Sequence, residues 1–178
     1  MPKRRIWLLV PAALWLAGCA RIPDSYAPPM QRKPLTDPSQ ESTGQFIQMN
    51  APDAPVHIVR DISPAVEGNG WRWVYQRPEL KFTLTSTEGL RFLMDYTVPE
   101  VTFKDTGPIQ IAITINGHLL DTIHVTKSGD QRFEKPVPAE WLQIGTENHV
   151  VAEVDKFWIP PNGDVRLGFV LLCAGFVR

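Results

Sequence analysis

The sequence predicts an all-β fold, an antiparallel β-sandwich with one short helical turn. Apolar and polar residues alternate with period two in several segments, the pattern of strands with one face in a core and one in water. Turn-forming residues separate these segments at intervals of about 8 to 12 residues. Many of the 17 prolines precede Trp71 and favour extended chain over helix. We therefore expect one sandwich domain over residues 45–178.

Four apolar stripes mark individual strands. They are Leu80, Phe82 and Leu84; Phe92, Met94 and Tyr96; Ile109, Ile111, Ile113 and Ile115; and Val150, Ala152 and Val154. Each stripe alternates with mostly polar neighbours, which predicts a half-buried strand. The closing segment from Leu167 to Phe176 is apolar on both parities and predicts a central strand that is covered on both faces.

The isoleucine stripe ends at Asn116-Gly117, a turn signal that predicts a hairpin with the run through Val125. With a two-residue turn, the apolar residues Leu119, Ile123 and Val125 of the second strand would point away from the face that the isoleucines share. A three-residue loop with Gly117 in the left-handed conformation corrects this parity. It would pair Ile113 with Leu119 and Ile109 with Ile123, so the sequence predicts a bulged hairpin.

One helical turn is predicted within the domain, at Pro138-Ala139-Glu140-Trp141-Leu142. Proline suits the first turn of a helix, and Gly145 lies just past the expected end.

The first 18 residues have the features of a secretory signal peptide. Lys3, Arg4 and Arg5 precede a short apolar run that is interrupted by Pro11 and is too short to span a bilayer. The segment Leu16-Ala17-Gly18-Cys19 resembles the lipobox of bacterial lipoproteins. This resemblance implies cleavage before Cys19, lipid on its thiol and a membrane anchor. It also implies a location in the bacterial cell envelope, and Ala20 favours the outer membrane in a Gram-negative cell.

Residues 19–44 are predicted to be a lipidated cysteine followed by a disordered linker. Five prolines lie among polar and charged residues here, and no apolar periodicity is present: Pro23, Pro28, Pro29, Pro34 and Pro38. An extended chain of this composition rises about 3.1 Å per residue, so it would hold the domain roughly 70 to 80 Å from the bilayer at full stretch.

Charge and cysteine content exclude several classes of function. The formal net charge is −1, and loss of three cations with the signal peptide leaves a mature charge of −4, which disfavours nucleic acid as a partner. If Cys19 carries lipid, Cys173 has no partner for an intramolecular disulfide. Cys173 lies in an apolar run, so we expect a buried, inert thiol.

Sequence motifs of enzymes are sparse. The chain contains no Gly-x-Ser-x-Gly, His-Glu-x-x-His or phosphate-loop motif. The histidines lack the spacing of a zinc site: His57, His118, His124 and His149. Asp95 and Glu100 are a weak candidate for the carboxylate pair of a glycan-active hydrolase. We therefore expect a protein without catalytic residues, and a hydrolase is the alternative.

The order of elements resembles the galactose-binding-like jelly rolls that occur as carbohydrate-binding modules. The resemblance rests on Ile113-Thr-Ile-Asn-Gly-His118, Val137-Pro-Ala-Glu-Trp-Leu142, Gly145-Thr-Glu-Asn148 and Leu167-Gly-Phe-Val170. It implies a jelly-roll-like sandwich and supports the fold more than the ligand.

Two aromatic clusters are candidates for a glycan site, because sugar faces stack on tryptophan and tyrosine. The first contains Trp71, Trp73 and Tyr75 on one face of a strand that Arg77 continues. Core packing is the favoured interpretation of this cluster, and a binding platform is the alternative. The second is a loop in which Trp158 would stack on a sugar, with hydroxyl partners Asp155, Lys156 and Asp164. No cofactor is predicted. A structural Ca²⁺ held by Asp155 and Asp164 is the alternative, although such a site needs about six to eight oxygens and these two residues are its only obvious ligands.

The sequence therefore predicts an envelope lipoprotein with a β-sandwich binding module. Its expected partners are the membrane, through the lipid on Cys19, and a glycan. The alternative is a non-catalytic scaffold that docks envelope proteins.

Overall fold

The computed structural model describes residues 44–68, 70–161 and 163–178. The predicted signal peptide, the lipobox with Cys19 and the linker up to residue 43 lie outside the described residues. The strands are β1 (Phe46–Gln48), β2 (Ile58–Ile62), β3 (Arg72–Thr83), β4 (Arg91–Val98), β5 (Ile109–Ile115), β6 (His118–Val125), β7 (Gly129–Pro136), β8 (Glu147–Val154) and β9 (Val170–Val177). The helical segments are α1 (Ala54–His57), α2 (Glu100–Thr106) and a 3₁₀ turn (Ala139–Trp141).

The strands form two layers that β3 connects. The first layer contains β7, β4 and β9 in that order, and β1 pairs with the other side of β9; the second contains β6, β5 and β8, and β2 pairs with β3. Strand β3 belongs to both layers, because Arg72 and Trp73 pair with β9 whereas residues 79–83 pair with β8. All pairings between these strands are antiparallel. The predicted all-β antiparallel fold class is confirmed.

The core lies between the layers and is built around phenylalanine. Phe176 of β9 contacts Phe82 of β3 and Phe92 of β4 edge to face, at centroid distances of 5.6 and 5.7 Å. All three side chains are almost fully buried. Burial of one such side chain contributes roughly 1.5 to 3 kcal/mol, so this cluster fixes both layers against each other.

The predicted stripes are the buried faces of their strands. All members of the four stripes are buried, and the isoleucines of β5 are at most 2% exposed. The closing strand is central, as predicted, because it lies between β3 and β4 and is covered on both faces at Val170 and Leu171. It begins at Val170 rather than Leu167, since Leu167 instead forms an isolated bridge with Trp158.

The β5–β6 hairpin has a two-residue turn, so the predicted three-residue loop is wrong. Asn116 and Gly117 both have positive φ, at 48° and 85°, and Ile115 pairs directly with His118. This is the backbone twist that suits a tight hairpin, and asparagine and glycine are the residues that adopt it most readily.

The extra residue that parity required lies within β6 instead of in the loop. The predicted pairings of Ile113 with Leu119 and of Ile109 with Ile123 are therefore wrong. The ladder pairs Thr114 with Leu119, Ile113 with Asp121, Ile111 with Ile123 and Ile109 with Val125. This bulge turns Leu120 inward, at 9% exposure, and leaves Leu119 57% exposed. The prediction of a bulged hairpin is confirmed, with a different position for the bulge.

The prediction of a single helical turn is wrong in number. The 3₁₀ turn lies where it was expected, but α1 and α2 were missed. In α2 the buried residue is Thr102, whose hydroxyl donates to the carbonyl of Pro99 at 2.8 Å. A helix with a polar buried residue has no apolar stripe, so periodicity could not reveal it. Helix α1 has only four residues, which is too short for a periodic pattern.

Asn148 joins the hairpin, the 3₁₀ turn and the start of β8. Its side chain is fully buried. Its amide donates to the carbonyls of Gln143 and Thr146, and its oxygen accepts from Asn116 Nδ2 and the Gln143 N–H, at 2.8 to 3.2 Å. Asn116 also donates to the carbonyl of Trp141 at 2.7 Å. Residues that carry the resemblance to the jelly rolls therefore hold the scaffold together here.

Candidate functional site

Trp71 and Trp73 lie side by side on the outward face of the first layer. Their rings meet edge to face, with centroids 5.9 Å apart and an angle of 88° between the planes. Both rings are partly exposed, whereas Arg72 and Val74 occupy the inward positions and are buried. The strand alternation thus places the two indoles at the surface, and the favoured interpretation of core packing is wrong for them.

Arg72, which lies between the two tryptophans in the sequence, anchors the start of β3 to two loops. Its side chain is buried, and it donates to the carbonyl of Met49 at 2.8 Å, to that of Ser63 at 3.1 Å and to that of Pro64. Burial lowers the pKa of Arg72 below its usual value. The three carbonyls replace the water that the guanidinium loses, so Arg72 ties two loops to β3 between the tryptophans.

The turn before β3 sets the position of the Trp71 ring. The backbone of Trp71 pairs with Glu67, with the Glu67 N–H donating to the Trp71 carbonyl at 2.9 Å. A Cβ at Gly68 would lie only 2.5 Å from Trp71 Nε1, and Gly68 has a φ of 55°. The indole therefore lies directly against the turn backbone, which only glycine permits at this point.

A trough crosses the outward face of the first layer beside these rings. One end is a cavity of about 440 Å³, lined by Gln48, Asn50, Gly70, Trp71 and Leu172. The other end is a cavity of about 360 Å³, lined by Asp95, Tyr96, Asp130, Gln131, Arg132 and Leu172. Leu172 lines both cavities, so we treat them as one trough with an aromatic end and a charged end.

An ion pair occupies the charged end of the trough. Arg132 donates from Nε and Nη2 to the two oxygens of Asp95, both at 2.7 Å. These hydrogen bonds are the main cause that lowers the pKa of Asp95 below its usual value. The hydroxyl of Thr97 donates to Asp130 at 2.6 Å. The carboxylate of Asp95 therefore remains ionised at neutral pH, and both carboxylates accept hydrogen bonds.

The thiol of Cys173 lies behind this ion pair. It is 5% exposed and carries no disulfide, and its sulfur is 3.5 Å from Asp95 Oδ2. Burial is the main cause that raises the pKa of Cys173 to about 12, and the negative charge of Asp95 contributes to the same increase. The thiol stays protonated at neutral pH, and the prediction of a buried cysteine is confirmed.

Asp95→Asn should lower stability at neutral pH and have no effect at low pH. A carboxyl whose folded pKa is depressed stabilises the fold above its unfolded pKa, near 3.9, and loses this contribution as pH falls through the folded pKa. Thermal melts of both proteins from pH 7 to pH 2 measure the difference. A gap in melting temperature that stays constant down to pH 2 would contradict the ion-pair account.

Three of the predicted site residues in the loop from Asp155 to Asp164 make hydrogen bonds within the fold. Trp158 is partly buried, and its indole N–H donates to Asp105 at 2.7 Å. Asp155 accepts from the backbone N–H of Gln110 at 2.7 Å. Lys156 donates to the carbonyl of Pro108 at 2.6 Å, close to the end of α2. Asp164 is exposed.

The remaining predicted residues, Tyr75 and Arg77, lie farther along β3. Tyr75 lies where β3 passes from its pairing with β9 to its pairing with β8, and Arg77 lies beyond it, 3.5 Å from Glu153 of β8. Neither residue lines the cavity beside Trp71. In the described ranges, no group of three or more histidine, cysteine or acidic side chains is arranged to hold a metal ion. Asp155 and Asp164 accordingly form no described cation site.

Sequence reasoning missed the polar half of the trough. Gln48, Asn50 and Arg132 show no motif, and they join the site only because β1 and β7 flank β9 and β4. Arg72 did carry a signal, since a charged residue stands at an inward position between two tryptophans. Such a residue requires buried acceptors, and that requirement predicts loops folded over the start of the strand.

Comparisons with known proteins leave the family open. The sequence matches no family model and no curated protein. Similar solved structures include an acetyl xylan esterase from the rumen bacterium Butyrivibrio proteoclasticus, at 12% identity and a TM-score of 0.45 over 75% of this chain and 32% of that one. The chain thus spans about a third of the esterase's length.

Two solved carbohydrate-binding modules are also similar in fold. A family 35 carbohydrate-binding module from an environmental isolate is 14% identical, with a TM-score of 0.39 over 78% of this chain and 94% of that one. The CBM35 module of Cellvibrio japonicus Abf62 is 13% identical, with a TM-score of 0.35 over 78% and 90%. Likenesses this distant carry no argument about a ligand.

Within the part of the chain that the structure describes, no helix has the length and apolar character needed to cross a bilayer.

Proposed function

We propose that this protein is a non-catalytic glycan-binding module whose site is the trough. The observation that carries the proposal is the Trp71–Trp73 pair, two partly exposed indoles on the outward face of a strand, held from below by a buried arginine. An exposed indole face stacks on the apolar C–H face of a sugar ring. The exposed part of the two rings gives up the stabilisation that burial would supply, so the pair favours a ligand.

The polar side chains of the trough complement a sugar stacked on these rings. The amides of Gln48 and Asn50 stand beside Trp71, and the carboxylates of Asp95 and Asp130 lie across Leu172. Amides donate and accept hydrogen bonds, and carboxylates accept them, which is what sugar hydroxyls require. The floor crosses β7, β4, β9 and the start of β3, three strand spacings or about 14 Å. That length suits a short oligosaccharide.

The ionisation of the trough supports binding rather than catalysis. A general acid or base needs a pKa near the working pH. The pKa of Asp95 is lowered by Arg132, and that of Cys173 is raised to about 12, so neither group exchanges a proton near neutrality. The loop around Trp158 is the less suitable site, because Asp155 and Lys156 already bind backbone groups.

A glycan array with the full chain tests the proposal. We expect the native protein to bind at least one oligosaccharide class, Trp71→Ala to lose that signal, and Trp158→Ala to retain it. Trp158 is the matched control, since it is also a partly exposed tryptophan that follows a strand. Loss of the signal in Trp158→Ala with retention in Trp71→Ala would move the site to the loop. Absence of any bound glycan would favour the scaffold alternative.

We also propose that lipid on Cys19 anchors the module in the bacterial cell envelope, and in the outer membrane of a Gram-negative cell. The lipobox-like sequence supports this proposal. The Pro-rich linker would let the trough reach glycans well away from the bilayer surface.

Cys19→Ala should abolish incorporation of a fatty-acid analogue and leave the precursor uncleaved at this position, because no thiol remains to be modified. Metabolic labelling of a bacterial host that expresses each form measures this. Cys173→Ala is the control and should label like the native chain. Equal labelling of Cys19→Ala and the native chain would contradict the anchor.

A further inference from the structure

We infer that the trough selects neutral glycans over acidic ones, and that Asp95 determines this selectivity by occupying Arg132. The inference rests on the proposed glycan binding and specifies the class of ligand. Its basis is the balance of charges among the described residues that line the trough. These are two carboxylates, Asp95 and Asp130, and one guanidinium, Arg132.

The ion pair engages the side-on fork of Arg132 and balances its charge. Nε and Nη2 each donate to a different oxygen of Asp95 at 2.7 Å, which is the bidentate arrangement that a glycan carboxylate would otherwise form. The Arg132 side chain is 64% exposed, so its remaining N–H groups are open to a ligand. A uronic acid that approaches them meets a guanidinium whose charge Asp95 already balances, and the side-on fork becomes available only if Asp95 is displaced.

The second carboxylate makes the trough repel anions. Asp130 accepts a hydrogen bond from Thr97, and the ion pairs within the described ranges give it no cation. One negative charge in the trough is therefore unbalanced. A sugar carboxylate bound in the trough would be repelled by this charge, whereas a neutral hydroxyl would find an acceptor.

Asp95→Asn should reverse this preference. The substitution keeps the shape of the side chain, removes one negative charge and frees the guanidinium fork of Arg132 for an incoming carboxylate. We expect the affinity ratio of acidic to neutral glycans to rise on the order of tenfold. Arg132→Gln should change the ratio in the opposite direction, because it leaves Asp95 without its cation.

Glu134→Gln is the matched control for both variants. Glu134 accepts a hydrogen bond from Arg91 at 2.6 Å and lies on the same outward face of β7 as Arg132. Neither Glu134 nor Arg91 lines the trough. The substitution breaks an ion pair on the same two strands and frees a cation elsewhere. The ratio of affinities should stay at the native value.

The experiment titrates the full chain and these variants with trisaccharides of galactose or glucose and with the same trisaccharides oxidised at C6 to uronates. Tighter binding of the neutral sugars by the native chain, and a rise in the acidic to neutral ratio in Asp95→Asn alone, would support the inference. An unchanged ratio in a folded Asp95→Asn protein would overturn it while glycan binding stands. Binding of none of the sugars by any variant would remove the glycan site, and the inference with it.

Discussion

Trp71→Ala is expected to weaken glycan binding by about 10- to 100-fold. The indole supplies a stacking surface that no neighbouring side chain can replace, and loss of one such contact costs about 1.4 to 2.8 kcal/mol. Trp73→Ala should have a similar effect, because its ring holds that of Trp71 edge to face. Isothermal calorimetry on the full chain measures both losses.

Stability measurements separate this effect from unfolding. Neither tryptophan belongs to the buried core, so both alanine variants should melt within a few degrees of the native chain. Trp71→Phe keeps a smaller ring and should retain part of the affinity. Loss of affinity in step with loss of stability would show that the pair is structural and would contradict the assignment of a site.

Asn148→Ala is expected to lower the free energy of unfolding by about 3 kcal/mol. The side chain is fully buried, and its removal takes the partner of the N–H and of the C=O group of Gln143 and one of the two acceptors of the Asn116 amide. Each buried polar group without a partner costs about 1 to 3 kcal/mol. For a domain of this size the melting temperature should fall on the order of 10 °C.

Thr146→Ala is the control for this loop. Its hydroxyl donates to Gln143 Oε1 at 3.0 Å in an exposed position, so its loss should change stability by less than about 0.5 kcal/mol. Equal, small effects of the two substitutions in urea denaturation would contradict the central role of Asn148 in the scaffold.

The alternation of apolar and polar residues predicted most strands, because a half-buried strand has one apolar face and one polar face whichever strands lie beside it. The hairpin shows the limit of this reasoning. Parity required one extra residue between Ile113 and Ile123, but a bulge in the loop and a bulge inside β6 satisfy parity equally. Which one forms depends on the conformation of Asn116 and Gly117 and on pairing with β8, which are not encoded in the alternation.

The candidate site was predictable only where it follows one strand. Alternation placed Trp71 and Trp73 on a common face. Arg132 and Asp95 meet because β4 pairs with β7, at 37 residues' separation, and Leu172 joins them to the tryptophans because β9 lies between β4 and β3. Strand order is set by packing of the whole core, so no local pattern reports it. Tyr75 and Arg77 show the converse, since β3 changes layers within the predicted platform.

The most direct test of the account is calorimetric titration of the full chain and Trp71→Ala with the glycan that gives the strongest array signal. We predict saturable binding to the native chain with one site per molecule, and a loss of at least tenfold in the folded variant. Equal affinity of the two proteins would contradict a glycan site at the trough.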